Sequence, residues 1–362
     1  HRSYGGTGFV KIRLIAAIAL AGLIATSCGS RTSSDESSSS LPGSETTAPA
    51  NDATPATSEP GMFGTLPSPC GPGDASGATD VGVFDDKIVY TSVSDSGGQI
   101  GGLNKGVDDS QYAFVKWCND QGGINGRKIE LKMRDAALFD YGNQVKAACE
   151  DSLAIVGGVS AFDDVGAPIQ IACGIPNLPA GAASAAQAGA DLTYQPMPNP
   201  PNMLNVGAAT LVKEHHPDAI TKAGFIHTDV STIDYLTARQ KEAYELIGYD
   251  FVYDQKSVIG EVNWPSLVSA LQQKDVQFLT GISTWEEFVN LQAAMAQQDV
   301  HPEVTQFDAN MYQDRYPSEA DGNAEGTLLQ VTIWPFEEAD KSPAMATYLA
   351  ALEDAVPGAK PE

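Results

Sequence analysis

From position 87 onward the apolar residues switch repeatedly between strand and helix periodicity. Residues 87–94, with Ile88, Val89, Tyr90 and Val93, are of strand length and read as a buried strand. Residues 105–121 then carry Val107, Phe114, Val115 and Trp117 at helical spacing, until Gly122-Gly123 stops the helix. Asn125-Gly126 marks a turn, after which Ile129, Leu131 and Met133 fall on one face of a strand over 128–134. A helix over 143–152, a strand over 153–157, a helix over 163–173 and a strand over 175–178 complete a first series. After a Pro/Asn cluster at 196–201 a second series follows. Its helices are predicted over 203–214, 235–248, 264–274 and 286–298, and its strands over 223–227, 251–253, 276–281 and 304–308. Leu236, Ala243, Leu246 and Ile247 mark the buried side of the second of these helices, and Phe288, Leu291 and Met295 that of the fourth. Strict alternation of strand and helix predicts a parallel sheet covered on both faces, and here it occurs twice. The fold class is therefore α/β, with two doubly wound parallel-sheet lobes joined by a hinge.

Upstream the pattern is different. Lys11 and Arg13 precede an apolar run over 14–24, and Ala25-Thr26-Ser27 lead directly to Cys28. A basic segment, an apolar stretch and small residues are the parts of an export signal, and the stretch is shorter than the ~20 residues a membrane span needs. A cysteine at this point resembles a bacterial lipobox, in which the thiol receives a diacylglycerol, with Ala25 where leucine is commoner. Residues 1–28 thus read as a lipoprotein signal peptide with Cys28 as lipidation site. The alternative is an ordinary signal peptide cut nearby. Residues 29–79 are poor in large apolar side chains and read as a disordered Ser/Thr/Pro-rich tether. The rest divides into a first lobe over 80–196, a second over 197–331 and a return to the first over 332–362.

A net charge of −25 without a basic cluster argues against nucleic acid and anionic lipid as partners, which confines membrane contact to the anchor. Cys70, Cys118, Cys149 and Cys173 are an even set in an exported chain, which favours disulfides over metal ligation. Four cysteines allow three pairings. If the first sheet runs second, first, third, fourth, right-handed crossovers set the helices after its second and third strands side by side. That order pairs Cys149 with Cys173 and leaves Cys70 for Cys118.

Gly122-Gly123-Ile124-Asn125-Gly126-Arg127-Lys128-Ile129-Glu130-Leu131 followed by Asp135, then Val156-Gly157-Gly158-Val159-Ser160, Gly174-Ile175-Pro176, Trp264-Pro265-Ser266-Leu267-Val268 and Ala324-Glu325-Gly326 occur in order along the chain. Together they resemble the type I periplasmic-binding-protein family, the substrate-binding lipoproteins of branched-chain amino acid and amide ABC transporters. The resemblance implies a monomer that closes on a small polar solute, such as a branched-chain amino acid, an amide or a urea-like compound, and delivers it to ABC permease subunits, without cofactor or metal. It places first-lobe ligand contacts at Ser96 and Gly98, at Ser160, Ala161 and Phe162, and at Ala180, Gly181 and Ala182. Second-lobe contacts fall at Asp229, Tyr235, Thr284, Trp285 and Asn310. Family members that bind amino acids hold the ammonium with an acid in the last of these loops, where this chain has Asn310 or Met311, with Asp308 slightly earlier. Crossovers are implied at 194–198 and 329–334, with a third beyond Glu362.

Other chemistries find less support. Gly97-Gly98-Gln99-Ile100-Gly101-Gly102 lacks the G-x-G-x-x-G spacing of a dinucleotide loop. Ser160 lies in no G-x-S-x-G elbow, which disfavours a secreted hydrolase. His215-His216, at a helix end, suits capping better than metal binding. His227 ends a strand, where ligand contact and packing are both open, and Asp163-Asp164 reads as helix capping. A receptor of the same fold that senses solute without transport is the alternative to a transport component.

Overall fold

A computed structural model describes residues 61–97 and 104–361. The signal peptide, Cys28, most of the tether and Gly98 lie outside the described residues. The described chain opens on an antiparallel hairpin of β1 (Met62–Phe63) and β2 (Leu66–Pro67). The tether predicted to run to residue 79 therefore gives way to ordered chain by residue 61. Met62, Phe63 and Leu66 supply apolar area that the Ser/Thr-rich composition hides, and the Cys70–Cys118 disulfide staples the segment to the first lobe. Phe63 packs edge-on against Trp117 with ring centroids 5.6 Å apart.

The first lobe comprises β3 (Lys87–Ser94), α1 (Lys105–Asp120), β4 (Lys128–Asp135), α2 (Tyr141–Asp151), β5 (Ile155–Val156), α3 (Ala167–Cys173) and β6 (Asn177–Leu178). Its sheet is parallel in the order β4-β3-β5-β6, the order from which the cysteine pairing was read. Cys149 and Cys173 are bonded, as are Cys70 and Cys118. The helix predicted over 163–173 is instead a 3-10 turn, Asp163–Val165, followed by α3. Gly166 marks the break, because the Tyr141 ring lies where a Cβ would stand.

After α4 (Ala185–Ala188) and α5 (Gly207–His215) the second lobe runs β7 (Ala223–Thr228), α6 (Ser231–Leu246), β8 (Phe251–Ser257), α7 (Trp264–Gln273), β9 (Phe278–Ile282), α8 (Trp285–Gln297), β10 (Val304–Phe307), α9 (Arg315–Glu319) and β11 (Leu328–Leu329). The strands are parallel in the order β11-β10-β9-β7-β8. Phe288 and Phe307 stack at 3.8 Å in a core that also holds Ile226, Leu279 and Leu291. The face predicted for α6 is rotated. Leu246 is 82% exposed, and Thr232, Thr237 and Tyr244 are buried instead. Tyr244 packs against Tyr249 and Phe278, and that aromatic cluster sets the helix rotation.

Two segments connect the lobes. Thr193 pairs in parallel with Asn177 beside β6, so the chain leaves the first sheet at its carboxyl end. It leaves the second sheet likewise after β11, where Gln330 N–H donates to Phe307 O at 3.0 Å. The crossovers meet where the Thr332 hydroxyl donates to Met197 Sδ at 3.0 Å. Beyond them α10 (Pro343–Ala355) returns to the first lobe, where Asp354 pairs with Lys116 of α1 at 2.5 Å. Because both connections depart from carboxyl ends, those ends of the two sheets are turned toward the junction. Among the described residues no helix is long and apolar enough to cross a membrane.

Candidate ligand site

At the carboxyl end of the first sheet, three aspartates bind the loops together. Asp95, directly after β3, is fully buried. Its carboxylate accepts from Leu138 N–H (2.8 Å), Ala161 N–H (2.7 Å) and Ser160 Oγ (3.2 Å), joining the loops after β3, β4 and β5. Asp135, the last residue of β4, accepts from the N–H groups of Ser96 (3.2 Å), Gly97 (3.1 Å) and Ala137 (2.8 Å). Asp163 accepts from Ala183 N–H at 2.7 Å and Ser184 N–H at 2.9 Å, fixing the loop after β6. Burial pushes the Asp163 carboxyl up to about 6 despite these donors.

The second lobe has an equivalent in Glu287. Its carboxylate accepts from Thr228 Oγ1 (3.0 Å), at the end of β7, and from Gly260 N–H (3.1 Å), in the loop after β8. Ser283, following β9, also donates to it. Thr284 caps α8 by accepting from Glu287 N–H, so the Thr-x-x-Glu spacing at 284–287 carried a legible capping signal. After β10, Asp308 accepts from Asn310 N–H at 3.0 Å, and burial raises its carboxyl to about 6.

The residues singled out by sequence fall into two groups. Ser96, Ser160 and Ala161 are tied into the first-lobe knot, with Ser96 Oγ also donating to Asp108. Ala180 N–H donates to Gly158 O at 3.0 Å, a Cβ at Gly181 would stand 3.8 Å from the Val159 side chain, an ordinary contact, and Ala182 is buried. Phe162 remains partly open and stacks on Phe139 at 5.1 Å. In the second lobe Asn310 is exposed, and Asp229 is held by Lys256 at 2.7 Å. Two residues pack within the lobe. Trp285 belongs to the core, with the Arg315 guanidinium 4.5 Å over its ring. Tyr235 donates its hydroxyl to Pro201 O at 2.8 Å, alongside Arg239, which donates to Pro200 O and Asn199 Oδ1. These two side chains staple the entering crossover to α6. His227 is buried 3.6 Å from Asp234 and 3.5 Å from Asp254, and His216 pairs with Glu303 at 2.8 Å. Among the described residues no cluster of His, Cys, Asp and Glu is placed to hold a metal. A cavity of about 390 Å³ beside Met295, Val300, Thr305 and Thr327 lies at the amino end of β10, on the side of the sheet away from these loops.

Two open sheets whose carboxyl ends are turned toward a pair of touching crossovers are the arrangement that binds a ligand between lobes. Residues 92–362 match the family model described as periplasmic binding protein. The chain belongs to that family. It is a family of extracytoplasmic ligand-binding proteins rather than of enzymes. Among solved structures, a fatty acid ABC transporter substrate-binding protein from Thermomonospora curvata is similar over 80% of this chain and 74% of its own, at 17% identity and a TM-score of 0.67. A solute-binding protein of an R. palustris ABC transporter, in complex with 4-hydroxybenzoate, covers 76% of this chain and 74% of its own, at 16% identity and a TM-score of 0.59. A Streptococcus pneumoniae branched-chain amino acid transporter substrate-binding protein, in complex with isoleucine, covers 76% and 85%, at 15% identity and a TM-score of 0.57. At these identities the likeness concerns the fold. No match was found among curated proteins.

Proposed function

We propose that this protein is the extracytoplasmic solute-binding component of an ABC importer, held at the membrane by a lipid on Cys28 and acting as a monomer. The observation that carries the reading is the meeting of both crossovers at Thr332 and Met197, with the carboxyl ends of both sheets turned to that junction. A solute that bridges the two sets of loops gains contacts that the open state lacks, and so shifts the population toward closure and presents the closed form to the permease. Ala161, Phe162 and Gly181 contribute from the first lobe, and Asp229 and Asn310 from the second. Ser160 and Tyr235 position the loop and the crossover. The named ligands of the similar structures, fatty acid, isoleucine and 4-hydroxybenzoate, span apolar, zwitterionic and aromatic solutes. A thermal-shift screen across these classes tests the reading. A solute at a hundred times its dissociation constant stabilises the fold by about 2.7 kcal/mol, whereas a folded, disulfide-intact protein that no solute stabilises contradicts it.

A further inference from the structure

We infer that three buried side-chain amides, Gln170, Asn177 and Gln187, join the loop after β6 to the root of the first crossover, so that movement of either is carried to the other. This deepens the solute-binding reading above by naming residues that pass solute contact to the hinge, and that role rests on the reading. Gln170 lies on α3, Asn177 on β6 and Gln187 on α4, and all three are fully buried. The Gln170 amide nitrogen donates to Thr193 Oγ1 at 2.7 Å and to Asp191 O at 3.1 Å. Gln187 donates to the same Thr193 oxygen at 2.9 Å and to Gln170 Oε1 at 2.9 Å. Asn177 donates to Gln170 Oε1 at 3.0 Å and to the Tyr141 hydroxyl at 3.2 Å. Each amide nitrogen therefore has an acceptor for both of its hydrogens, and Gln170 stands at the centre.

The two ends of the cluster lie where a coupling between loop and hinge has to act. At one end Ser184 caps α4 by accepting from Gln187 N–H at 3.0 Å, while Ala183 and Ser184 N–H donate to Asp163. The loop that contributes Gly181 to the proposed site is thus fixed to the helix whose Gln187 reaches Gln170. At the other end Thr193 pairs with Asn177, Asn177 N–H donates to Leu192 O at 2.9 Å, and Tyr194 N–H donates to Asn177 O at 2.8 Å. Gln195 adds a second tie to α4 by donating to Ala188 O at 3.2 Å. On the far side Arg239 holds Asn199 and Pro200 to α6, which leaves residues 196–198 as the stretch between the anchors of the two lobes. A buried donor without an acceptor is costly. Thr193 and the α4 cap therefore cannot shift separately without stranding amide hydrogens, whereas moving together keeps every pair.

Coupling is reciprocal, so it is tested from both ends, on the intact, disulfide-bonded chain without added solute. Thr193→Val keeps the shape of the side chain and removes the oxygen that both glutamines share. Ser184→Ala removes the cap at the loop end. Hydrogen exchange is read residue by residue at the N–H groups of Ala183, Ser184 and Gln187 in the loop, and of Asn177 and Tyr194 at the crossover root. Each variant is expected to speed exchange at least ~5-fold at the far end as well as at its own, with β3 exchanging as in the parent. Thr193→Ser, which keeps the oxygen, is expected to stay within ~2-fold of the parent at both ends. Loosening confined to the mutated end in either variant overturns the inference. So does far-end loosening that β3 shares, because that reports general destabilisation. Should Thr193→Val not fold, Ser184→Ala decides alone. The outcome is independent of the thermal-shift screen: coupled exchange in a protein that no solute stabilises would keep the link and remove the solute-binding reading, and uncoupled exchange in a protein that a solute stabilises would do the reverse.

Discussion

Asp95 and Glu287 have corresponding tasks in the two lobes: each is a buried carboxylate that gathers donors from loops far apart in sequence. Removing such an acceptor leaves its donors buried and unpaired, at about 1–3 kcal/mol per group. Asp95→Ala should therefore destabilise the protein by about 2–4 kcal/mol, whereas Ser160→Ala, which leaves both N–H partners in place, should cost about 1 kcal/mol. Urea unfolding of the two variants checks the difference. Asp163 adds a pH dependence. Its folded carboxyl titrates at about 6 and its reference value is 3.8, so between those values the native state binds the extra proton. Stability from this group is full below about 4 and is lost as pH rises through about 6. Asp140, Asp151 and Asp275, whose carboxyls are lowered by hydrogen bonds and cationic neighbours, act in the opposite sense and below that window. Asp163→Asn should therefore flatten the fall in urea midpoint between about pH 4 and pH 6, relative to the parent protein, and leave the profile below pH 4 unchanged.

Among the elements, the two disulfides close spans of 48 and 24 residues, and chain entropy assigns each about 3–4 kcal/mol. They are not equivalent in what they hold. Cys70→Ser/Cys118→Ser should release the segment carrying β1 and β2 as well as lower the melting temperature, which new proteolysis between residues 61 and 80 would reveal. Cys149→Ser/Cys173→Ser should lower stability without that cleavage. Both pairings were legible because they follow from strand order. So was β3, a buried run with no competing pattern. α6 was misjudged because Leu236, Ala243, Leu246 and Ile247 offer a plausible apolar stripe, while the contact that sets the rotation, Tyr244 on Tyr249 and Phe278, lies outside the helix. β8 was read only to Tyr253 because Asp254, Gln255 and Lys256 are polar, which an edge strand tolerates on its open side. In the site, the loops were placed by resemblance, yet Phe139 gave no signal. Its exposure depends on two left-handed residues without glycine and on Asp95, which holds the neighbouring Leu138 N–H from 43 positions upstream.

The molecule as a whole consists of two sets of loops, each tied together by buried carboxylates, and two crossovers that touch. Tyr235 and Arg239 fasten the first crossover to α6, and Tyr312 fastens the second by stacking on Phe336 and accepting its N–H at 2.8 Å. With both anchored, motion is confined to the short stretches between the anchors, as hinge closure requires. The measurement that tests this most directly is small-angle scattering of the intact chain, titrated with the solute that stabilises it most in the thermal-shift screen. The account predicts a radius of gyration that falls with added solute and saturates at the concentration where calorimetric binding saturates. Binding heat that saturates while the radius of gyration stays constant would contradict it.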